Sequence, residues 1–367
     1  MRKITCFIFS LFLLSCNNQR ISYSLENVPI LIDFNAIEDV QVQLRNIRYI
    51  PLETTDESLI GAPYKVLIRN ERIYVGDFTS AQALFVFNME GEFLFRIARR
   101  GQGPGEYRSF TDFDVRDNGD IYIFDVFGRQ FLIFDSMGQF LRDIRVDYFM
   151  QSFSLVGNKM YQSVLWGRGS GDHFANLATF DLATRRTTPL IADEISLLNL
   201  RFRLWMFNFF RSGNNRIFYA PQLSPIIYSI DENGVHPAIG IKNLPMPPRG
   251  VIDRWVQDGW MDVRDNYFTG IAGIYETCDY IVFSIAMGLR RKNVLFNKHT
   301  KSAYEVFDYF SKIGSASPHG STGREFFSAI VFDPYNATHA DILNSREELR
   351  NWREDDNPVI AIFNLDM

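Results

Sequence analysis

Apolar and polar positions along this chain fall into short runs, not long helical stripes. From Phe113 the order is Phe113-Asp114-Val115, a polar turn Arg116-Asp117-Asn118-Gly119-Asp120, then Ile121-Tyr122-Ile123-Phe124. After Asp125 to Gln130 come Phe131-Leu132-Ile133-Phe134, the turn Asp135-Ser136-Met137-Gly138, and Gln139 to Arg145. Four runs of β-branched and aromatic residues, separated by Asn, Asp and Gly, predict a four-stranded antiparallel meander. Asn118-Gly119 is the pair that favours a two-residue hairpin. Such a sheet has two open edges and two faces to bury, so it implies copies of itself.

The copies are present. Leu84-Phe85-Val86-Phe87-Asn88, Phe131-Leu132-Ile133-Phe134-Asp135, Leu177-Ala178-Thr179-Phe180-Asp181 and Ile227-Tyr228-Ser229-Ile230-Asp231 repeat the third run, each closed by Asn or Asp. Asn293-Val294-Leu295-Phe296-Asn297 and Ile360-Ala361-Ile362-Phe363-Asn364 are weaker copies. The closing residues are spaced by 47, 46, 50, 66 and 67. Asn and Asp belong there because their side chains bond the following backbone and start a turn. A period of about 40–50 residues with four strands each is the mark of a β-propeller. The expected fold is all-β: a six-bladed β-propeller of four-stranded antiparallel blades. The sixth copy ends too near Met367 to leave room for an outer strand, so the alternating segment Val40 to Leu52 is expected to close the ring from the N-terminus.

Insertions account for the wider late spacings. Leu244 to Asp262 carries Pro245, Pro247, Pro248, Arg249, Trp255 and Trp260; the last three read as packing against a blade edge, with a lid over the channel as the alternative. Lys312 to Gly323 reads as a long loop, and Asp341 to Arg353 as a short helix, because Leu343, Leu349 and Trp352 recur at helical spacing.

The first residues follow a different pattern. Arg2 and Lys3 precede an apolar run from Ile4 to Leu14, too short to span a bilayer and suited to a secretory signal. Leu13-Leu14-Ser15-Cys16 resembles the bacterial lipobox, which implies a diacylated Cys16 as the mature N-terminus. Two acyl chains suffice for stable membrane attachment. The expected division is a signal peptide over 1–15, the lipidated Cys16 and a tether over 16–39, and one propeller domain over 40–367. Asn17 to Glu26 is polar without an acidic run, which leaves the side of the outer membrane open. Once Cys6 and Cys16 are set aside, only Cys278 remains, expected to be a buried small hydrophobe, and no internal disulfide can form. Of 38 basic residues, removal of Arg2 and Lys3 leaves 36 against 43 acids, a net −7, which argues against a nucleic-acid partner.

Ile50-Pro51-Leu52-Glu53-Thr54, the loop Gly101-Gln102-Gly103-Pro104-Gly105-Glu106-Tyr107 and the Ile-Tyr-x-x-Asp strands ending at Asp77-like and Asp125 positions together resemble the six-bladed β-propeller lipoproteins of Bacteroidetes, which look like distant relatives of NHL-repeat propellers. The resemblance implies the fold and an envelope address, and no activity.

Strand direction alternates within a blade, so the links between second and third strands share a face with the links between blades. Those connections are the longer ones, where function concentrates. Candidate binding residues on this face are Arg99, Arg100, Gln102, Glu106 and Tyr107, set on a glycine-rich backbone whose alternative role is a structural crossing. A second group, Trp166, Arg168 and His173, beside Asp172, mixes aromatic and charged character suited to a sugar or peptide. Catalytic signals are thin. His173, His236, His299, His319 and His339 show no paired metal-ligand spacing, and there is no Gly-x-Ser-x-Gly elbow. The expected role is a membrane-anchored envelope protein, without a cofactor, that recognises a glycan, peptide or protein. The alternatives are a hydrolase or lyase with a divalent metal at the channel mouth, and a protein-interaction scaffold.

Overall fold

The computed structural model describes residues 24–167, 175–192, 208–213, 216–258, 262, 264, 266–306, 318–333 and 335–367. Three strands come first: β1 (Ile30–Asp33), β2 (Glu38–Val40) and β3 (Gln43–Pro51). Three four-stranded meanders follow: β4 (Lys65–Arg69), β5 (Arg72–Asp77), β6 (Ala83–Asn88) and β7 (Phe93–Ile97); β8 (Asp112–Val115), β9 (Ile121–Asp125), β10 (Gln130–Phe134) and β11 (Phe140–Arg145); β12 (Tyr148–Val156), β13 (Lys159–Gly167), β14 (Ala175–Asp181) and β15 (Thr187–Ala192). Next are β16 (Phe209–Ser212), β17 (Arg216–Tyr219), β18 (Ile226–Asp231), β19 (Gly234–Lys242) and helix α1 (Arg249–Asp258). Then come β20 (Phe268–Glu276), β21 (Tyr280–Met287), β22 (Arg290–Asn297) and β23 (Ser302–Val306). The chain finishes with β24 (Gly320–Ser321), β25 (Phe326–Ile330), helix α2 (Ala337–Ser345) and β26 (Val359–Asp366).

The fold is an all-β propeller. Four of its five sheets are separate blades: the three meanders, and a five-stranded sheet in which β2 adds in parallel to the outer edge of β23. The fifth has nine strands, ordered β1-β19-β18-β17-β16-β24-β25-β26-β3. The expected six separate sheets are thus five, and the cause is local. A parallel pairing of Ser212 with Ser321 joins β16 to β24. Gly213 and Gly323, both at positive φ, make that approach possible, since a Cβ on Gly213 would stand 3.2 Å from the Gly323 Cα. At the other end of the sheet β3 pairs antiparallel with β26, from Val359↔Pro51 to Asp366↔Gln43, and supplies its outer strand.

Burial explains why middle strands are continuously apolar and outer ones are not. β9 is buried on both faces between neighbouring sheets, whereas β11 is mostly exposed. Successive sheets share cores. Tyr74 and Val86 pack with Phe113 and Ile123; Phe124 and Phe131 with Phe153 and Met160; Tyr161 and Leu177 with Ile217 and Tyr219. Phe218 and Ile227 pack with Ile271 and Phe283; Val282 and Leu295 with Phe326 and Phe363. Ile73 and Phe85 return the circuit to Phe327 and Ile360. Each buried Phe or Ile contributes roughly 1.5–3 kcal/mol.

The closing residues of the repeat mostly act as expected. Asn88 Oδ1 accepts from Glu92 N at 2.8 Å, Asp135 Oδ1 from Gln139 N at 2.8 Å, Asp181 Oδ1 from Thr184 N at 2.7 Å, Asp231 Oδ1 from Asn233 N at 2.8 Å and Asn297 Oδ1 from His299 N at 2.9 Å. Asn364 departs from this, because β26 continues through it to pair with β3, and its Oδ1 accepts from Asn46 Nδ2 at 3.1 Å.

Other expectations change. Asn118-Gly119 closes a wider turn than a two-residue hairpin, with Gly119 at φ +87 donating to Arg116 O. Residues assigned to the tether include β1 and the first two of β2: Ile30 to Asp33 pairs in parallel with Ile239 to Lys242, and Ile32 is buried in the core. The helix foreseen at Asp341 to Arg353 begins earlier, at Ala337, capped by Asn336, and gives way to a 3-10 turn at Glu347–Leu349. Cys278 is exposed, not buried. Trp255 is buried against Leu223 and Ile252, as packing requires. Cys16, Arg168, Asp172, His173 and Trp260 lie outside the described residues.

Candidate functional site

The glycine-rich loop is built as a blade crossing. Tyr107 is fully buried and its hydroxyl donates to Gln82 O at 2.5 Å and Ile97 O at 3.1 Å. Burial drives its phenol well above the ordinary value. This corrects its assignment as a binding residue, because no ligand can reach a side chain enclosed in that way. Glu106 is half-buried, and its Oε2 accepts from Gly103 N at 2.8 Å. A Cβ on Gly101 would fall 1.9 Å from that carboxylate, so the glycine makes room for it. Arg99, Arg100 and Gln102 remain exposed, with Gln102 accepting from Arg108 Nη2 at 3.0 Å. Trp166 lies in β13 opposite Phe149.

The Ile-Tyr-x-x-Asp strands end in loop organisers. Asp77 is fully buried, taking Gly61 N and Ala62 N on Oδ2 and Thr79 N and Ser80 N on Oδ1. Asp125 does the same for the second meander, accepting from Arg108 N, Ser109 N and Gly128 N at 2.9–3.1 Å. These carboxylates hold the loop face in shape.

Of the twelve large apolar side chains that stand in solvent among the described residues, six are on that face, while Leu31, Leu94, Leu141 and Leu190 lie on outer strands. Leu59 and Tyr64 lie in the link from β3 to β4, Phe127 between β9 and β10, Leu289 between β21 and β22, and Val331 and Tyr335 between β25 and β26. Phe127 is 69% exposed and Tyr335 96%. Among the described residues, the turns of the opposite face expose one comparable side chain, Met137.

The second concentration of chemistry lies inside, on the first strands of the sheets. Lys65 Nζ donates to Asp112 Oδ1 at 2.7 Å and Phe113 O at 2.6 Å, while Asp112 Oδ2 accepts from Phe153 N at 2.8 Å. Two residues along, Asp114 Oδ2 accepts from Arg211 Nη2 at 2.7 Å, Ser154 Oγ at 2.7 Å and Leu155 N at 2.8 Å. Both carboxylates are fully buried, but they differ. Burial pushes Asp112 upward more than Lys65 pulls it down. For Asp114, burial is outweighed by Arg211, Lys65 and Arg69, which bring its carboxyl to about 2. Across the channel, Glu276 N donates to Ser212 Oγ and Ser321 Oγ donates to Glu276 O, tying β16, β20 and β24 together.

A cavity of about 70 Å³ follows the channel, lined by Tyr64, Lys65, Ser154, Arg211, Tyr275 and His319 among others. His319 Nδ1 accepts from Ala329 N at 3.1 Å, and burial pulls its pKa down to about 4, so the ring is neutral at neutral pH. Among the described residues no group of three or more His, Cys, Asp or Glu side chains is arranged to hold a metal ion. Sequence reasoning missed this interior set because its members come from different sheets. One trace was available: Asp112-Phe113-Asp114 puts two carboxylates on one face of an otherwise apolar strand.

A propeller with a furnished interior and an apolar loop face defines the class of this protein. It belongs to the family described as domain of unknown function DUF4934, whose model matches residues 38–364. A Bacteroides fragilis protein described as exported is similar in structure, with a TM-score of 0.74 and 15% identity over 92% of this chain and 99% of that one. A DUF4221 family member from Bacteroides vulgatus is similar with a TM-score of 0.55 and 10% identity, over 90% of this chain and 99% of that one. At such identities the likeness is one of fold. No curated protein matches the chain.

Proposed function

We propose that this chain is a lipid-anchored, non-catalytic binding propeller of the bacterial envelope that takes a protein or peptide partner on its loop face. The observation that carries the reading is the exposure of Leu59, Tyr64, Phe127, Leu289, Val331 and Tyr335 in connections that open on that one face. Exposed apolar groups of this size favour a polypeptide surface, and the aliphatic members have no stacking role toward a sugar. Arg99, Arg100 and Gln102 form a polar, exposed part of the same face. Asp112 and Asp114 are already engaged by Lys65, Arg211 and the backbone, which suits a ring-holding role better than catalysis.

The ring is read as six blades, the nine-stranded sheet being two that meet at Ser212 and Ser321. The envelope address is supported by the likeness to a protein described as exported, and the attachment by Arg2, Lys3, the apolar run and Ser15 before Cys16. Replacing Cys16 with Ala is expected to release the protein from the membrane fraction; retention would refute the lipid. For the loop face, a photo-crosslinking residue at position 127 or 335 is expected to trap one polypeptide in intact cells, and the same residue at 137 is expected not to. Trapping at 137 alone would overturn the assignment of the face.

A further inference from the structure

Positive charge gathers at one part of the loop face. Between Lys65 and Lys159 the chain has ten arginines and no lysine. Five of them, Arg99, Arg100, Arg108, Arg129 and Arg145, are exposed and lie in or next to the connections around the second meander that open on this face. The backbone draws them together. Tyr107 N donates to Arg99 O at 2.9 Å and Gly101 N to Tyr107 O at 3.0 Å, so the two ends of the glycine-rich loop lie side by side and Arg108 follows next to Arg99 and Arg100. Asp125 takes both Arg108 N and Gly128 N, which sets Arg108 near Arg129. Val146 N donates to Arg129 O at 2.9 Å, and Arg145 is the β11 partner of Gln130.

Nearby acids do not balance this cluster. Asp125 is buried, with its oxygens taken up by backbone N–H groups, and Glu106 is turned to Gly103 N. Asp143 and Asp147 flank Arg145 in the chain, and Asp143 comes no nearer to it than 3.7 Å, both side chains standing in water. Arg108 bonds Gln102 and Arg129 lies over the Phe149 ring at 5.9 Å; among the described residues these two, Arg99 and Arg100 form no ion pair. The patch stands on a chain whose net charge is −5. Phe127, largely exposed, sits in the same loop as Arg129. Arginine and aromatic side chains are enriched in protein interfaces, and lysine is depleted there. A guanidinium fork meets a carboxylate through two parallel N–H···O bonds, where lysine offers a point charge. An anionic lipid surface makes no such choice, since it attracts lysine and arginine alike.

We propose that the loop face takes an acidic segment of its polypeptide partner, with Asp or Glu carboxylates pairing with the five arginines around an apolar contact at Phe127. The inference rests on the reading of that face as a polypeptide-binding surface, and it adds the partner's charge and the part of the face that receives it. Complementary charge of this kind speeds encounter and fixes register, while the exposed apolar side chains elsewhere on the face supply contact area.

The test uses the full chain carrying Cys16→Ala, which keeps acyl chains out of the measurement. The probes are labelled poly-L-glutamate, poly-L-lysine of the same length, and vesicles containing phosphatidylglycerol. Poly-glutamate is expected to bind, less tightly as salt is added, and poly-lysine is expected not to. Arg100→Gln with Arg129→Gln is expected to weaken poly-glutamate binding by roughly tenfold or more. Arg185→Gln with Arg186→Gln, at a turn of the opposite face, is expected to leave it unchanged. No binding of poly-glutamate, or equal losses in the two double variants, would overturn the proposal. Vesicle binding that depends on Arg100 and Arg129 while poly-glutamate stays free would assign the patch to lipid instead. Photo-crosslinking from position 335, in another blade, separates this inference from the reading beneath it. A polypeptide trapped equally by the unaltered chain and by the Arg100, Arg129 variant keeps the polypeptide-binding face and removes its acidic partner. No polypeptide trapped by the unaltered chain removes both.

Discussion

Asp125 illustrates how one side chain serves the whole loop face. Its carboxylate, fully buried, receives backbone N–H groups from Arg108, Ser109 and Gly128 and so joins the blade crossing to the loop between β9 and β10. Asp125→Ala strands those donors and is expected to cost about 3 kcal/mol, read as a shift of the urea midpoint. A loss below about 0.5 kcal/mol, the range of ordinary surface changes, would refute the organising role. The interior groups predict two separable pH effects. His319 is held near 4 by burial, against about 6.5 in an unfolded chain, so the fold favours the neutral ring. Its contribution is complete above about 6.5 and is lost as pH falls towards 4. Asp114, held near 2 against about 3.9 unfolded, contributes above about pH 4 and loses that as pH falls towards 2. Asp112, shifted upward, has the opposite sign and favours the fold more when protonated. In stability measured against pH, His319→Gln is expected to flatten the slope between about 6.5 and 4 and to leave the one below 4 in place. An unaltered upper slope would show that His319 does not titrate in the fold.

At the scale of elements, the N-terminal segment is a strap. β1 and β3 form the two outer edges of the nine-stranded sheet and β2 extends an edge of the five-stranded one, covering edges that would otherwise stand open. Ile32→Ala is therefore expected to cost about 3 kcal/mol, as a core truncation does, whereas a tether residue would cost almost nothing. Thermal unfolding separates the two. This segment also marks the limit of what was legible. Asx turns at Asn88, Asp135, Asp181, Asp231 and Asn297 are local chemistry, so the repeat they punctuate could be read directly. The pairing of β3 followed from a missing outer strand. β1 is four residues long and β24 two, too short to carry a periodic pattern, and each has a partner more than a hundred residues away, β24 in addition to its neighbour β25. Tyr107 was misassigned for a related reason: glycine, charge and an aromatic in a loop look alike whether the ring faces solvent or, as here, bonds Gln82 O and Ile97 O.

Over the whole molecule, the apolar cores join each sheet to the next, while the interior ion pairs reach further. Asp114 on β8 meets Arg211 on β16, 97 residues on, and both meet β12 through Ser154 and Leu155. A separation of that kind leaves no trace in a linear pattern, which is why the channel chemistry was invisible beforehand. It also makes a sharp energetic prediction. Removing one partner of a buried pair strands the other charge, at about 3–5 kcal/mol. Asp114→Ala leaves Arg211 and Arg69 facing each other, whereas Arg211→Ala relieves that repulsion and leaves Asp114 with Arg69 nearby. The aspartate change is therefore expected to be the more damaging of the two. The double change removes both the attraction and the stranded charge, so its cost should fall short of the sum by about 2 kcal/mol or more in urea unfolding. Strict additivity, or a greater loss from Arg211→Ala, would mean that this pair does not hold the first strands together and that the apolar cores alone set the ring.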